Sequence, residues 1–218
     1  YIPSLVEGSE VSGPLSAAVA TQFGLSVDVN VAGGGGDNAA SAVGIGAVAS
    51  GDGFISLATS GVLFVVHDQY PPNPAAAVHA FCHALPNRWH QMSVMLSAAS
   101  GLRWLCNTVG VKEAELLAEA EALAAVDTAS APIFLPYLSG ERTPHNDPHA
   151  QGVFFGMTHE TTRAHLAYAV IEGVTFGLLD GLNALRAAGT QVTELSLVGG
   201  GSRSSFWAQL LANALQVT

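Results

Sequence analysis

The chain has 218 residues, of which 49% are hydrophobic and only 11% are charged, and its formal net charge is −10. This composition predicts a globular protein with a well-buried core and excludes an intrinsically disordered chain. The acidic balance argues against binding to nucleic acid or to an anionic membrane surface, because both require concentrated positive charge.

Three features predict a cytoplasmic protein. Cys82 and Cys106 lie in apolar surroundings, which suits free thiols in a reducing compartment. The opening residues, YIPSLVEGSE, contain neither the basic head nor the apolar core of a signal segment. The most apolar long segment, HLAYAVIEGVTFGLLDGLNAL, carries Glu172 and Asp180, so we expect a core helix rather than a membrane span.

The first part of the chain predicts one strand and one helix. Residues 27–32 alternate loosely and predict a strand that ends at a run of glycines, whereas the small residues of 37–49 predict a helix packed closely on a sheet. We expect the chain to start inside a helix-like region. The composition break at SGDG, residues 50–53, predicts a crossing point between two domains.

The rest of the chain mixes strand-like and helix-like segments. The predicted strands are residues 54–58, 62–67, 78–85, 89–96, 133–138, 152–157 and 194–199, and the predicted helices are about 98–109, 112–125, 163–187 and 204–215. This mixture predicts an α/β or α+β fold. Because neither end of the chain has the neighbouring element that such a fold needs, we expect a piece of a larger fold.

A first glycine turn, VAGGGGDNAASA, leads into the acidic residue Asp37. Asp is a favoured N-cap, and the helix dipole stabilises a carboxylate there by roughly 0.3–1 kcal/mol, so an ordinary cap is the simpler interpretation. A cap needs only one flexible residue before it, however, whereas a run of glycines lets a substrate approach the backbone. The alternative interpretation is a general base that faces a cleft.

A second glycine turn, LATSGV at residues 57–62, joins two predicted strands. Thr59, Ser60 and Gly61 there offer two hydroxyls and accessible N–H groups, which suits a phosphate. An ordinary hairpin turn has the same composition, so the motif alone is weak evidence.

A third glycine turn, LSLVGGGSRSSFWAQLLAN at residues 195–213, leads from a strand into a helix that Ser202 or Ser204 could cap. A strand, a glycine turn and a helix N-terminus form the general geometry of nucleotide sites. The segment lacks both the G-x-G-x-x-G fingerprint and a Walker A motif. Three glycine turns in one chain nevertheless favour nucleotide binding more than any one of them does.

A metal site is not expected in HAFCHALPNRWH, although this segment brings together His79, Cys82, His83 and His90. Neighbouring side chains on a strand point to opposite faces, so these four cannot converge on one ion.

The loop GERTPHNDP predicts a structured polar turn, with contact between Arg142 and the other domain or the cleft as an alternative. Trp104 and Trp207 lie beside apolar residues on predicted helices and are expected in the core.

Several segments together resemble the FGGY carbohydrate kinases, and within that family those that phosphorylate D-xylulose. They are VAGGGGDNAASAVGIGAV, SLATSGV, AVHAFCHALPNRWHQMSVMLSAASGLRWL, FLPYLSGERTPHNDPHAQGVFFGMTH and LVGGGSRS. GVFFGM at 152–157 and HLAYAVIE at 165–172 resemble the signature segment of the family. The resemblance implies the actin-like, ribonuclease-H-like α/β ATPase fold, with two domains that close on a cleft. Residues 1–50 would be the C-terminal remnant of the first, sugar-binding domain, and 51–218 the second, nucleotide-binding domain without its C-terminal end.

The resemblance also implies the roles of individual residues. Asp37 matches the catalytic aspartate of the family, and Asn38 and Gly36 lie where sugar contacts are expected. The residues implied to bind ATP are Thr59, Ser60, Gly61, Ala99, Gly200, Gly201 and Ser205. The stretch 99–103 is expected to lie alongside the nucleotide, and Ser205 stands where some relatives have asparagine.

The activity implied is ATP- and Mg²⁺-dependent phosphorylation of D-xylulose to D-xylulose 5-phosphate. Ribulose, gluconate or glycerol as the acceptor remains open, as does a non-catalytic actin-like nucleotide-binding module. Because the first phosphate motif of the family, Asp-x-Gly-Thr, is missing, we expect this chain alone to be inactive. The implied partners are a sugar and ATP, with no nucleic acid or membrane, and a homodimer is the assembly to test for.

Overall fold

A computed structural model describes residues 3–218. Its strands are β1 (Val11–Pro14), β2 (Asn30–Ala32), β3 (Gly53–Leu57), β4 (Gly61–His67), β5 (His79–Cys82), β6 (Trp89–Met95), β7 (Ile133–Leu135), β8 (Val153–Phe155) and β9 (Ser196–Val198). Its α-helices are α1 (Ala17–Phe23), α2 (Asp37–Gly44), α3 (Ala99–Val109), α4 (Glu113–Ala124), α5 (Arg163–Ala187) and α6 (Ser205–Leu215). Short 3₁₀ turns occupy Pro74–Ala76 and Gly200–Arg203.

The central sheet has five strands in the order β5-β6-β4-β3-β9. Strand β9 runs parallel to β3, and the other neighbours in this sheet are antiparallel. The antiparallel pairs β1–β2 and β7–β8 form two small separate sheets.

Both faces of the central sheet are covered. The larger core joins β3, β4 and β6 to α3, α4, α5 and α6. A smaller core on the sheet contains Phe54, Phe64, Val66 and Met92, against which Ala42 of α2 is buried. Phe54 and Phe64 stack there with their ring centroids 4.9 Å apart. Strand β4 is therefore apolar along most of its length, as expected of a strand with two covered faces.

Helix α5 has the predicted bounds and is the central helix of the larger core, with 13 of its residues buried. It begins with a capping box, in which the backbone N–H of Thr162 donates to Nδ1 of His165 at 3.0 Å. Gly173 and Gly181 allow close approach, because a β-carbon on either would collide with Phe134 or Ser93. The expectation of a core helix is confirmed. In the described part of the chain, none of the helices combines the length and the hydropathy that crossing a bilayer requires.

The beginning of the chain differs from the prediction. Residues 3–10 form irregular backbone and a turn, so a helix-like start is wrong for the described residues; Tyr1 and Ile2 lie outside them. Strand β1 and helix α1 follow and were not predicted. Helix α2 ends at Gly44, earlier than predicted, because Gly46 has a φ of 82° and the chain turns there.

Candidate functional site

A cavity of about 680 Å³ lies where the turn between β3 and β4 meets α3, α4 and α6. Its lining residues are Ala58, Thr59, Ala99, Ser100, Leu102, Arg103, Glu113, Ala114, Leu117, Ala118, Glu121, Gly200, Gly201, Arg203, Ser204, Ser205 and Trp207. The volume is within the range of roughly 300–1,000 Å³ that is typical of small-molecule sites.

The sheet topology explains the position of the cavity. Strands β3 and β9 are parallel, so the turns that follow them emerge at the same edge of the sheet, where α/β proteins bind ligands. The turn after β9 is held against the end of β3: a β-carbon on Gly199 would stand 2.8 Å from the carbonyl oxygen of Leu57. Gly199 thus serves close backbone packing. A β-carbon on Gly200 would meet nothing within 4 Å, which leaves open space beside this backbone.

The cavity contains charges of both signs. Nε of Arg103 lies 2.9 Å from Oε1 of Glu113, and this hydrogen bond raises the pKa of Arg103 above its usual range. Glu121 adds a second carboxylate. Arg203 forms no ion pair with any residue from 3 to 218, so its charge is available to an anionic ligand.

The structure brings together five of the residues implied to bind ATP. Thr59, Ala99, Gly200, Gly201 and Ser205, which come from distant parts of the chain, line this one cavity. Their role in ATP binding stays a prediction.

Ser60 and Gly61 belong to the same turn as Thr59 but do not line the cavity. Gly61 is buried, and a β-carbon there would stand 3.1 Å from the side chains of Ala98 and Leu178. Glycine at this position therefore suits the tight packing around it, whatever else the turn binds.

Between the two candidate caps of α6, the structure selects Ser204. Its Oγ accepts a hydrogen bond from the backbone N–H of Trp207 at 3.2 Å. The hydroxyl of Ser202 instead donates to the carbonyl of Gly199 at 2.7 Å, within the glycine turn.

Asp37 is exposed and is the first residue of α2, with Gly36 as its N-cap, so the interpretation of Asp37 as the N-cap is wrong. Its Oδ1 accepts hydrogen bonds from the backbone N–H of Asn38 at 2.8 Å and from Nδ2 of Asn38 at 3.2 Å. Gly36, Asp37 and Asn38 all lie outside the cavity described above.

The glycines before Asp37 have a structural reason that the sequence did not reveal. A β-carbon on Gly33 would stand 2.5 Å from the carbonyl oxygen of Glu7, and one on Gly35 would stand 2.8 Å from Cβ of Ala84. Gly34 has a φ of 80°. Only Gly36 combines an ordinary φ with open space, so substrate access cannot be the reason for the whole run.

Sequence reasoning missed one wall of the cavity and one cation. Helix α4 contributes Glu113, Leu117 and Glu121, although its Ala-, Leu- and Glu-rich sequence gives no signal of a site. Arg203 could have been found, because it follows the third glycine turn directly.

The polar loop after β7 contains a buried acid. Glu141 is only 2% exposed, and its Oε1 accepts hydrogen bonds from the backbone N–H groups of Leu96 at 3.0 Å and Arg142 at 2.7 Å. Its Oε2 is buried without a partner among the described residues, and burial raises the pKa of the carboxyl. The loop is structured, as predicted, but its acid is not solvated.

The two tryptophans differ. Trp207 is buried, as predicted, and its Nε1 donates to Oγ1 of Thr175 at 3.2 Å. Trp104 is 39% exposed and stacks at the edge of the core on Phe134 and Phe154, so its assignment to the core is wrong.

The histidine-rich segment belongs to the hydrophobic packing of the sheet. His90 is 4% exposed and stacks on Phe64 with a centroid separation of 4.3 Å, and His83 contacts both rings edge-on. Within residues 3–218 no three side chains of His, Cys, Asp or Glu come together to hold a metal ion.

Comparison with known proteins relates the chain to one family. The model of the FGGY family of carbohydrate kinases, C-terminal domain, matches residues 53–218. The xylulose kinase of Escherichia coli (strain K12) is 50% identical over 213 residues, which are 97% of this chain and 43% of that protein.

Two solved structures are also similar to this chain. A xyloylose kinase from Brucella ovis has a TM-score of 0.92 at 53% identity, over 99% of this chain and 44% of that chain. A gluconate kinase from Lactobacillus acidophilus has a TM-score of 0.88 at 27% identity, with the same coverage of 99% and 44%. The chain therefore spans less than half of the length of these relatives.

Proposed function

This chain belongs to the FGGY family of carbohydrate kinases and has the actin-like ATPase fold of that family, and from this we propose that the complete protein phosphorylates D-xylulose with ATP to give D-xylulose 5-phosphate. The observation that supports it best is the cavity of about 680 Å³ on which residues implied to bind ATP converge. Residues 1–50 would belong to the sugar-binding domain and 51–218 to the nucleotide-binding domain.

The cavity fits a nucleotide chemically. The turn at Thr59 offers backbone N–H groups, and Gly200 leaves the backbone of the opposite turn accessible. The free guanidinium of Arg203 suits a phosphate, because charge-assisted hydrogen bonds from Arg to phosphate oxygens are strong. Leu102 and Leu117 add apolar surface that a base could cover.

Mg²⁺ would arrive with ATP and neutralise part of the phosphate charge. The described residues contain no cluster of three candidate ligands, so the phosphates themselves would hold most of the ion, as is common for Mg²⁺ in kinases.

Asp37 is proposed as the general base. Its carboxylate would accept the proton of the sugar hydroxyl while the hydroxyl oxygen bonds to the γ-phosphorus and the bond to the departing ADP oxygen breaks. Exposure of Asp37 supports access to a substrate, and the hydrogen bonds from Asn38 fix Oδ1. Because Asp37 lies outside the nucleotide cavity, transfer requires closure of the two domains, and we expect the 218-residue chain alone not to catalyse.

The test is Asp37→Asn in the complete protein. We expect turnover of D-xylulose to fall by about 10²–10⁴-fold, the usual contribution of a general base, while ADP binding is unchanged. Asp28→Asn is a matched control, because Asp28 is also exposed and, among the described residues, hydrogen-bonds only to Ser26 in the loop before β2. Turnover close to that of the unmodified protein would rule out Asp37 as the base.

The acceptor needs its own experiment, because a gluconate kinase is among the similar structures. A panel of D-xylulose, ribulose, gluconate and glycerol at equal concentration would rank kcat/KM, and we expect D-xylulose to rank first. ATP hydrolysis that no sugar stimulates would instead favour a nucleotide-binding module without acceptor chemistry.

A further inference from the structure

The carbonyl of Thr59 accepts three hydrogen bonds from residues at the start of α3. It accepts hydrogen bonds from the backbone N–H of Ala98 at 3.1 Å, the backbone N–H of Ser100 at 3.3 Å and the hydroxyl of Ser100 at 2.7 Å. The neighbouring carbonyl of Ala58 accepts from the backbone N–H of Ala99 at 2.9 Å. The first turn of α3 therefore binds the turn between β3 and β4.

These hydrogen bonds leave the N-terminus of α3 without the free N–H groups that an anion would bind. The first N–H groups of a helix have no partner inside the helix and often bind anions. Those of Ala99 and Ser100 are already engaged by the carbonyls of Ala58 and Thr59, so they are unavailable to a phosphate. Helix α3 acts on the cavity through the turn and not as an anion site itself.

The same contacts orient the donors of the turn. In a trans peptide the carbonyl and the N–H group that follows it point in opposite directions. Because the carbonyls of Ala58 and Thr59 face α3, the N–H groups of Thr59 and Ser60 point away from it. Neither N–H group has a hydrogen-bond partner among residues 3–218, so both are free to donate to a ligand at this turn, in which Thr59 lines the cavity and Ser60 does not.

Helix α3, which makes this contact, is held in place by packing in the larger core. Leu102 and Leu105 are buried in the larger core, and the backbone of Gly101 lies against Val170 and Val174 of α5. The hydrogen bond from the Ser100 hydroxyl is the shortest of the three to the Thr59 carbonyl, and it is the only one of them that a side chain makes.

We propose that Ser100 is a positioning residue, whose hydroxyl fixes the Thr59 carbonyl, and with it the Ser60 N–H of the same peptide, so that this N–H and the free N–H of Thr59 bind the phosphates of the nucleotide. This inference rests on the proposed function, since it takes the cavity to bind ATP. Ser100 is thereby expected to affect binding of the phosphates and not binding of adenosine or of the sugar.

The experiment compares Ser100→Ala with Ser100→Thr in the complete protein. Loss of one hydrogen bond of ordinary strength corresponds to about a fivefold change in an equilibrium constant. We expect Ser100→Ala to weaken ATP and ADP binding, and to raise the KM for ATP, by about that factor. Adenosine binding and the KM for the sugar should not change. Ser100→Thr keeps the hydroxyl and should restore the affinity.

Thr108→Val is the matched control. Thr108 lies on the same helix, and its hydroxyl donates to the carbonyl of Trp104 at 2.8 Å, but it does not line the cavity. We expect its removal to leave all nucleotide affinities unchanged. Ser100→Ala could instead change the melting temperature and leave the ratio of ATP affinity to adenosine affinity unchanged. That result would show a purely structural role of Ser100 and overturn the inference.

Different results would contradict the proposed function and the role of Ser100. If the unmodified protein neither binds ATP nor phosphorylates any sugar, the proposed function is wrong. If the unmodified protein does both, but Ser100→Ala binds ATP normally or loses adenosine equally, only the role of Ser100 is wrong.

Discussion

The carbonyl oxygen of Leu57 stands 2.8 Å from the position that a β-carbon on Gly199 would occupy, so the turn after β9 rests directly on the end of β3. Gly199 also has a φ of 91°, which L residues with a side chain rarely adopt. This contact between two backbones sets the distance between the two turns that line the cavity.

Gly199→Ala is therefore expected to lower the free energy of unfolding by about 2 kcal/mol or more, through both the left-handed backbone and the clash. Gly200→Ala is the matched control, because a β-carbon there meets nothing within 4 Å. It should change stability by about 1 kcal/mol at most and act mainly on nucleotide affinity. Urea denaturation of both variants checks this, and equal losses of stability would contradict it.

Glu141→Gln tests the buried acid. Burial raises the pKa of the Glu141 carboxyl, so the folded protein holds its proton to higher pH than the unfolded chain does. The stability of the unmodified protein should consequently fall as pH rises from the ordinary carboxyl range through this raised pKa. Glutamine keeps an acceptor for the N–H groups of Leu96 and Arg142 but carries no charge.

We expect Glu141→Gln to be at least as stable as the unmodified protein at pH 8, with the difference shrinking toward pH 4. Glu141→Ala should lose about 1–3 kcal/mol at both pH values, because it strands two buried donors. Thermal denaturation at the two pH values measures the trend. A glutamine variant that is less stable at pH 8 than at pH 4, relative to the unmodified protein, would contradict the prediction.

His90 predicts the opposite dependence on pH. Burial, followed by the nearby charges of His83 and His79, lowers the pKa of His90 to about 4. Below the ordinary pKa of a histidine, 6.5, the unfolded chain takes up a proton that the folded protein does not. Stability should therefore decrease as pH falls from 6.5 toward 4, by roughly 3 kcal/mol over that window for this residue.

His90→Phe should flatten this slope, since phenylalanine can also stack on Phe64 and has no proton to bind. Comparing slopes removes any constant effect of the larger ring. The exposed His149, changed to Phe, is the control and should leave the slope as it is. An unchanged slope in His90→Phe would mean that His90 is not the group responsible.

Arg203→Gln tests the free cation of the cavity. Loss of a charge-assisted contact with phosphate should raise the KM for ATP about tenfold, and more at low salt than at high salt. Arg88→Gln is the control, because Arg88 is paired with Asp68 at 2.8 Å and does not line the cavity. Steady-state kinetics at two ionic strengths would measure the KM for ATP of both variants. Equal effects of the two substitutions would argue against a phosphate contact of Arg203.

Regular elements with strong local patterns were predictable. Helix α5 has the predicted bounds because its apolar spacing persists over many turns and a capping residue, Thr162, precedes it. The hairpin of β3 and β4 was equally clear, since two apolar runs flank a short turn. The short elements β1 and α1 were missed because few residues define their pattern and their side chains are mostly exposed.

Contacts between distant segments were not predictable. The acid of Glu141 is in a polar loop, but it is buried and accepts a hydrogen bond from Leu96, directly after β6. The glycines at 33 and 35 were interpreted through a substrate, but Glu7 and Ala84 are what stand against them. The residues next to these positions in the sequence do not indicate such contacts.

The amino-acid sequence by itself determined the order of strands and helices from β2 onward, the three glycine turns and the family resemblance, because periodicity, caps and turn residues act between near neighbours. Only the tertiary structure decided that α4 closes the cavity, that Arg203 has no acidic partner in the described chain, and that α3 fixes the turn at Thr59. These depend on the packing of helices across a common core, where residues far apart in sequence compete for the same space and the same hydrogen-bonding groups.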